Sequence, residues 1–273
     1  MGYIKEPFEE LDVMSDFLNN SLATNPDFGE EYCRLLIRNL IGYEAKKINV
    51  NAQKYIGPSM PDKRGIRLDI EIKEYADGKE PETIVNIFDI EPHRQDDIDS
   101  HPKKARFYQA KIDAPLMKSG ERDFNNLPNL YIISITNYDP FGMDYMMYTM
   151  RNTCVEVPNL CYDDGVVRYF FNTAGNKGGS KELKDFLTYL EDSVDKNVSN
   201  AEIRKLSQFV HRVKSNESER KGYMTWGDKM DKIVEDAVAE AVAEAVAEKD
   251  AAIEAKDAEI AALKKKLEEQ SKR

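Results

Sequence analysis

The alternation of apolar and polar residues predicts a mixed α/β chain. Residues 12–48 carry apolar side chains at helical spacing, and the pair Asn25-Pro26 predicts a break between two helices. Residues 66–73 alternate strictly between apolar and charged, which is typical of a half-buried strand with one core face and one charged face. Turn residues at 76–81 and apolar residues within 83–90 then predict an antiparallel hairpin.

The rest of the first 227 residues predicts further helices and strands in an order that favours a mixed sheet covered by helices. A nearly continuous apolar run at 130–136 is typical of a fully buried strand. The other predicted elements are a helix at 102–117, strands at 145–150 and 166–171, and helices at 181–191 and 201–213.

From Asp228 the chain contains no Gly, Pro or aromatic residue and consists mostly of Ala, Glu, Lys, Val and Asp. Apolar residues step by four and then by seven, as in a coiled-coil seam: Val238, Val242, Val246, Ile253, Ile260, Leu263 and Leu267. We therefore divide the chain into a domain at 1–227 and a C-terminal coiled-coil helix at 228–273. Because coiled coils pair helices, we expect a homo-oligomer. A solitary solvated helix is the alternative, because the seam is short.

Composition and charge narrow the class of protein. No apolar run is long enough to cross a bilayer, and the first residues lack the layout of a secretion signal, so we expect a cytoplasmic protein without a membrane partner. Three cysteines without a CxxC pair predict reduced thiols. The net charge of −11 argues against nucleic acid, but residues 101–122 carry six basic against two acidic side chains. This segment is a local basic strip.

The predicted hairpin gathers acidic side chains on one face. A turn centred near Glu80 places Asp69 opposite Glu91 and Glu71 opposite Asp89. Four carboxylates on one face repel each other, and a bound Mg²⁺ or Mn²⁺ would turn that repulsion into attraction. Ordinary salt bridges to Arg67 and Lys73 on the same face are the alternative.

Several short motifs occur in the order found in one known family. They are EYCRLL at 31–36, RGIRLDI at 64–70, DIE at 89–91, KARFYQ at 104–109, YIISI at 131–135, DPFG at 139–142, NTC at 152–154 and YMT at 223–225. Over about residues 12–226 the chain resembles the PD-(D/E)XK nuclease family transposases, also described as Rpn-type recombination-promoting nucleases. The resemblance implies a restriction-endonuclease-like mixed sheet flanked by helices and metal-dependent hydrolysis of DNA, in recombination or mobile-element function.

The resemblance also implies roles for particular residues. Asp69 and Glu91 would bind the metal, the backbone carbonyl of Pro92 would add a ligand, and His93 would position or deprotonate the attacking water. Glu31 on the first long helix would contribute a further acidic group. DNA contacts are expected from Lys103, Lys104, Arg106, Tyr108 and Gln109.

The chain departs from the family pattern at Glu91-Pro92-His93, where the usual reading is Glu, an apolar residue and Gln. Proline donates no ladder hydrogen bond, so we expect strand pairing to end or bulge there. His93 is then either catalytic or a solvated residue at the end of a strand. The alternative function is a catalytically inactive nuclease fold that acts as a DNA-binding or oligomeric interaction module.

Overall fold

The computed structural model of the protein describes residues 6–56, 66–78, 83–94, 101–117, 119–160 and 162–227, together with residues 249, 253 and 256. The chain divides into two compact units. One is Glu6–Arg220, and the other contains Lys221–Arg273.

The unit Glu6–Arg220 is an α/β structure built on a six-stranded mixed sheet. Its helices are α1 Asp16–Ala23, α2 Gly29–Ile41, α3 His101–Asp113, α4 Lys181–Glu191 and α5 Ala201–Lys214, and its strands are β1 Lys47–Ile56, β2 Ile66–Tyr75, β3 Ile84–His93, β4 Asn129–Thr136, β5 Met147–Met150 and β6 Val166–Asn172. Short 3₁₀ turns lie between them.

The strand order is β1-β2-β3-β4-β6-β5. The first three strands form an antiparallel meander, β3, β4 and β6 run parallel to one another, and β5 returns antiparallel to β6. The connection from β3 to β4 carries α3, as a crossover between parallel neighbours requires. Strand β3 is therefore the place where the antiparallel and parallel halves of the sheet meet.

Local sequence accounts for several helix ends. Ser180 caps α4 by accepting a hydrogen bond from the N–H of Leu183, and Asn200 caps α5 by accepting one from Ile203. Helix α2 ends at Gly42, whose φ of 69° is the left-handed conformation that glycine adopts at low cost. Such side-chain and glycine signals explain why these helices begin and end where they do.

Both faces of the sheet are covered, which corrects the expectation of an exposed charged face on the hairpin. On one face Leu130 and Ile132 of β4 belong to an apolar cluster with Ala105 and Ile112 of α3. On the other face Phe88 of β3 is fully buried, and helices α1 and α2 contact β1. Polar side chains on either face of the central strands are therefore inside the protein.

The elements predicted from periodicity are confirmed in kind, with shifted ends. Helix α4 has the predicted bounds, and the predicted helix at 102–117 ends at Asp113 before a 3₁₀ turn. Strand β1 is not among the predicted elements, which end a helical region at residue 48 and begin the next strand at residue 66. Alternating apolar residues Ile48 and Val50 were the signal that could have revealed it.

In the second unit residues 221–227 are helical, and the rings of Tyr223 and Trp226 stack at 6.2 Å between centroids. Residues 249, 253 and 256 are also helical. The rest of the predicted coiled coil lies outside the described residues, so its seam remains a prediction. Within the described part of the chain, no helix is both long enough and apolar enough to span a bilayer.

Candidate functional site

The predicted register of the hairpin is confirmed where β2 and β3 pair. Glu71 lies opposite Asp89, and Ile70 lies opposite Ile90 at the end of the ladder. One step beyond that end, the N–H of Asp69 donates a 2.9 Å hydrogen bond to Oε1 of Glu91. Asp69 and Glu91 are therefore joined across the strands, although by a bond from backbone to side chain.

Pro92 has a different effect on each side of β3. Pairing with β2 stops at Ile90, as expected for a proline that donates no ladder hydrogen bond. Pairing with β4 continues, however, with Pro92 opposite Ile135 and His93 opposite Thr136. The expectation that pairing ends at Pro92 therefore holds for one neighbour only, and the metal-ligand role of its carbonyl stays a prediction.

Three of the four acidic side chains on this face of the hairpin are buried, and the fourth, Asp69, is half-buried. The exposed fractions are 0 % for Asp89, 1 % for Glu71 and 3 % for Glu91. Both carboxylate oxygens of Asp89 lack a hydrogen-bond partner among the described residues. The neighbouring Glu91 can bond to Asp89 only when one of the two carboxyls carries a proton. A buried, unpartnered carboxylate is costly, so this arrangement needs a compensating group.

Close ion pairs with lysine neutralise Glu71, one of the four acids. Lys54 Nζ lies 2.6 Å and 2.7 Å from the two carboxylate oxygens of Glu71, and Lys73 Nζ lies 3.8 Å from Oε2. Arg67, the other predicted salt-bridge partner, is exposed, and its charge lowers the pKa of Asp69. Glu71 is thus neutralised by lysines, whereas Asp69, Asp89 and Glu91 form a separate group that we call the carboxylate triad.

Burial and repulsion from neighbouring acids raise the pKa of every member of the triad. Desolvation raises the pKa of Asp69 to about 7, with repulsion from Asp16 adding to it. Desolvation raises the pKa of Asp89 to about 8, and the charge of Asp69 adds to it. The pKa of Glu91 is raised well above its usual value, first by desolvation and then by Asp89. These are the properties of acids held together without enough positive charge.

Lys104 of α3 faces the triad. Its Nζ lies 4.0 Å from Oε2 of Glu91, and 3.5 Å and 3.4 Å from Nδ1 and Nε2 of His93. The ring of Tyr108 lies 5.2 Å from the same ammonium. Together with Ser134 of β4, these side chains line a small cavity at the end of β3.

Asp16, at the first position of α1, is a site residue that the sequence did not reveal. Its charge raises the pKa of Asp69. Desolvation raises the pKa of Asp16 itself, and the charge of Lys104 opposes this rise. The predicted helix acid, Glu31 of α2, instead forms a 2.5 Å ion pair with Lys205 of α5. Nothing in the sequence indicated that Asp16 belongs to the site, because only the tertiary fold brings α1 close to the hairpin.

The five predicted DNA-binding residues separate into three environments. Lys103 and Arg106 are exposed on α3. Lys104 and Tyr108 are half-buried at the cavity described above. Gln109 accepts a hydrogen bond from Arg168 of β6, so its side chain holds α3 on the sheet. Two of the five therefore present charge freely to solvent.

The triad has the donor chemistry of a divalent-cation site. Carboxylate oxygens are the ligands that Mg²⁺ and Mn²⁺ prefer, and the unpartnered oxygens of Asp89 are available donors. Among the described residues, no three acidic, histidine or cysteine side chains are already arranged to hold a metal ion. The residue types fit such an ion, and its ligands would have to turn towards it. Comparison of the chain with protein-family models, curated proteins and solved structures finds no match.

Proposed function

We propose that this protein is a Mg²⁺- or Mn²⁺-dependent endonuclease that hydrolyses DNA phosphodiester bonds. The observation that carries the proposal is Asp89 beside Asp69 and Glu91: it is fully buried, and neither of its carboxylate oxygens has a hydrogen-bond partner within the part of the chain that the structure describes. A protein gathers such acids at a cost unless a cation binds among them. The proposal also draws on the family resemblance, which assigns Asp69 and Glu91 to metal binding.

In this proposal Asp69, Asp89 and Glu91 hold the ion. When bound, a divalent cation supplies Lewis acidity to a phosphate oxygen and lowers the pKa of a coordinated water. The chain itself supplies orientation: the N–H of Asp69 fixes one oxygen of Glu91, while Oε2 faces Lys104 and His93. Hydrolysis adds water across one P–O ester bond, leaving a terminal phosphate on one side and a hydroxyl on the other.

DNA would approach along α3. Lys103 and Arg106 are exposed one helical turn apart, and Lys104 lies between them and the triad. Exposed cations neutralise backbone phosphates without reading sequence, which suits a positioning role. The protein as a whole carries a net charge of −11, so its other surfaces would repel DNA.

The proposal also concerns the fold of the sheet and the role of residues 228–273. We propose that the mixed sheet is of the restriction-endonuclease-like type, with the metal ligands on β2 and β3. The heptad pattern of residues 228–273 would pair two copies of the chain, so that two sites act on the two strands of a duplex.

The experiment is incubation of the purified protein with supercoiled plasmid DNA and Mg²⁺ or Mn²⁺. We expect nicked and linear products that disappear on chelation and in Asp69→Ala and Glu91→Ala. Cleavage that persists unchanged in both variants would contradict the assignment of these residues.

The second candidate function is a DNA-binding or oligomeric module without catalysis. It is favoured by the absence, among the described residues, of a ready-made set of three metal ligands, and by Pro92 and His93 at the departure from the family pattern. Calorimetry separates the two functions, because only the nuclease requires Mn²⁺ binding. DNA affinity without Mn²⁺ binding would favour the second candidate.

A further inference from the structure

We infer that Lys104 of α3, rather than His93 of β3, supplies the catalytic positive charge at the scissile phosphate. The inference rests on the proposed nuclease function and assigns to Lys104 a catalytic role beyond the general phosphate contact expected of α3. The family pattern places its polar residue two positions after the strand glutamate, where this chain has His93. Lys104 reaches the same place from the neighbouring helix.

The position of the ammonium carries the inference. Nζ of Lys104 lies 4.0 Å from Oε2 of Glu91, and Nε2 of His93 lies at the same distance from that oxygen. The two side chains therefore face the same carboxylate edge. Lys104 brings a full positive charge there, while a histidine is charged only when protonated.

The contacts of Lys104 leave its ammonium able to bind a phosphate. Its distances to the two ring nitrogens of His93 are nearly equal, 3.5 Å and 3.4 Å, so it points squarely at neither lone pair and the contact is weak. The Tyr108 ring, 5.2 Å away, supports the ammonium from the same helix. About a third of the Lys104 side chain is exposed, at 33 %. An incoming phosphate oxygen can thus replace the histidine contact.

The charge of Lys104 also affects the pKa values of the surrounding acids. Lys104 lowers the pKa of Asp16, Asp69, Asp89 and Glu91, against the larger effect of desolvation in each case. The charge of Lys104 thus acts on all four acids. During hydrolysis the phosphate gains negative charge, and a fixed ammonium at that point stabilises it more in the transition state than in the ground state.

His93 takes a positioning role in this scheme. Its ring lies beside both the Glu91 carboxylate and the Lys104 ammonium, with Nε2 4.0 Å from Oε2 and 3.4 Å from Nζ. Replacing it by Gln keeps a polar side chain beside Lys104. We therefore expect His93→Gln to slow cleavage far less than a substitution of Lys104.

The test compares Lys104→Gln with Lys103→Gln, which removes an equal charge from the exposed neighbour on the same helix. Three quantities are measured on the full chain: the single-turnover rate of plasmid cleavage with Mn²⁺, the affinity for Mn²⁺ by calorimetry, and the affinity for duplex DNA with Ca²⁺. We expect Lys104→Gln to cut about 100-fold or more slowly, as for loss of one preorganised donor. Lys104→Arg should recover part of the rate, and His93→Gln should stay within about tenfold of the wild-type protein.

The binding measurements distinguish catalysis from simple contact. Lys104→Gln should bind Mn²⁺ at least as tightly as the wild-type protein, because a competing cation is removed, and should lose no more DNA affinity than Lys103→Gln. Lys104→Met, which keeps the aliphatic stem packed on Tyr108, replaces Lys104→Gln if the latter does not fold.

Cleavage by Lys104→Gln within about threefold of the wild-type rate would overturn the inference while leaving the nuclease intact. The inference would also be overturned if the slower cleavage by Lys104→Gln were fully explained by weaker binding of DNA or of Mn²⁺. A wild-type protein that cuts no DNA with either metal overturns the proposed function, and the inference falls with it.

Discussion

The N–H of Asp69 donates a 2.9 Å hydrogen bond to Oε1 of Glu91 at the point where the β2–β3 ladder ends. This bond does two things. It continues the association of the strands one residue beyond their last ladder pair, and it holds one Glu91 oxygen while the other faces Lys104. The two acids that family resemblance selects are thus linked by backbone geometry before any metal binds.

Removal of the unpartnered acid should stabilise the metal-free protein. Asp89→Asn deletes a buried negative charge that has no hydrogen-bond partner, so we expect the free energy of unfolding at pH 8 to rise by about 1–3 kcal/mol. The affinity for Mn²⁺ should fall by about tenfold or more, because a ligand oxygen is lost. Urea denaturation and calorimetry measure the two quantities.

Glu71→Gln is the matched control, because it removes a buried acid that is already paired. The loss of the contacts with Lys54 at 2.6 Å and 2.7 Å should destabilise the protein by about 1.5–3 kcal/mol. The two substitutions should therefore change the free energy of unfolding in opposite directions. A destabilising effect of Asp89→Asn as large as that of Glu71→Gln would show that Asp89 has a partner of its own.

The stability of the metal-free protein should fall as the pH rises from 5 to 8. Asp69 and Asp89 have folded-state pKa values raised to about 7 and about 8, so the folded state holds more protons than the unfolded state in this range. Each such carboxyl contributes a slope of up to about 1.4 kcal/mol per pH unit. The stabilising contribution is complete below the unfolded pKa and is lost as the pH passes through the folded pKa.

Urea denaturation at pH 5 and pH 8 measures this dependence. Excess Mn²⁺ should reduce the difference between the two pH values, because a bound cation favours the ionised carboxylates. Asp89→Asn should reduce it as well. A protein that is more stable at pH 8 than at pH 5 without metal would contradict the account of the triad.

The helix acid of the site can be identified by a pair of substitutions. Asp16 acts electrostatically on Asp69, whereas Glu31 is paired with Lys205 at 2.5 Å. Asp16→Asn should lower the rate of metal-dependent cleavage about tenfold, and Glu31→Gln should leave it within about threefold. The reverse outcome would restore Glu31 as the contributing acid.

The stability of the protein should depend on the absence of a side chain at Gly29, the first residue of α2. A Cβ at Gly29 would lie 2.4 Å from the carbonyl oxygen of Ala23, so Gly29→Ala must push α1 and α2 apart. We expect a loss of about 1–3 kcal/mol, measured by thermal or urea denaturation. Gly42→Asn tests a glycine chosen for conformation instead, and should cost less because asparagine tolerates a positive φ. Equal and negligible losses would contradict the close packing of α1 on α2.

The tail prediction is tested by sedimentation of the full chain against a chain that ends at Gly227. We expect a dimer or larger oligomer for the full chain and a smaller mass for the shorter one, because the heptad positions lie after residue 227. Equal monomeric masses would rule the coiled-coil pairing out.

Local patterns predicted the fold better than they predicted the site. The alternation at 66–73 and a turn near Glu80 were enough for the pairing of Glu71 with Asp89, because hairpin register follows from turn position. The burial of Asp89 was not predictable from β3 alone, since it depends on α3 covering that face. The same holds for Lys104, which periodicity placed on α3 without saying which way it points.

The most direct test of the central claim is anomalous diffraction from crystals grown with millimolar Mn²⁺. We expect a peak at about 2.0–2.3 Å from carboxylate oxygens of at least two of Asp69, Asp89 and Glu91. Strong peaks elsewhere on the protein with none at the triad would contradict it.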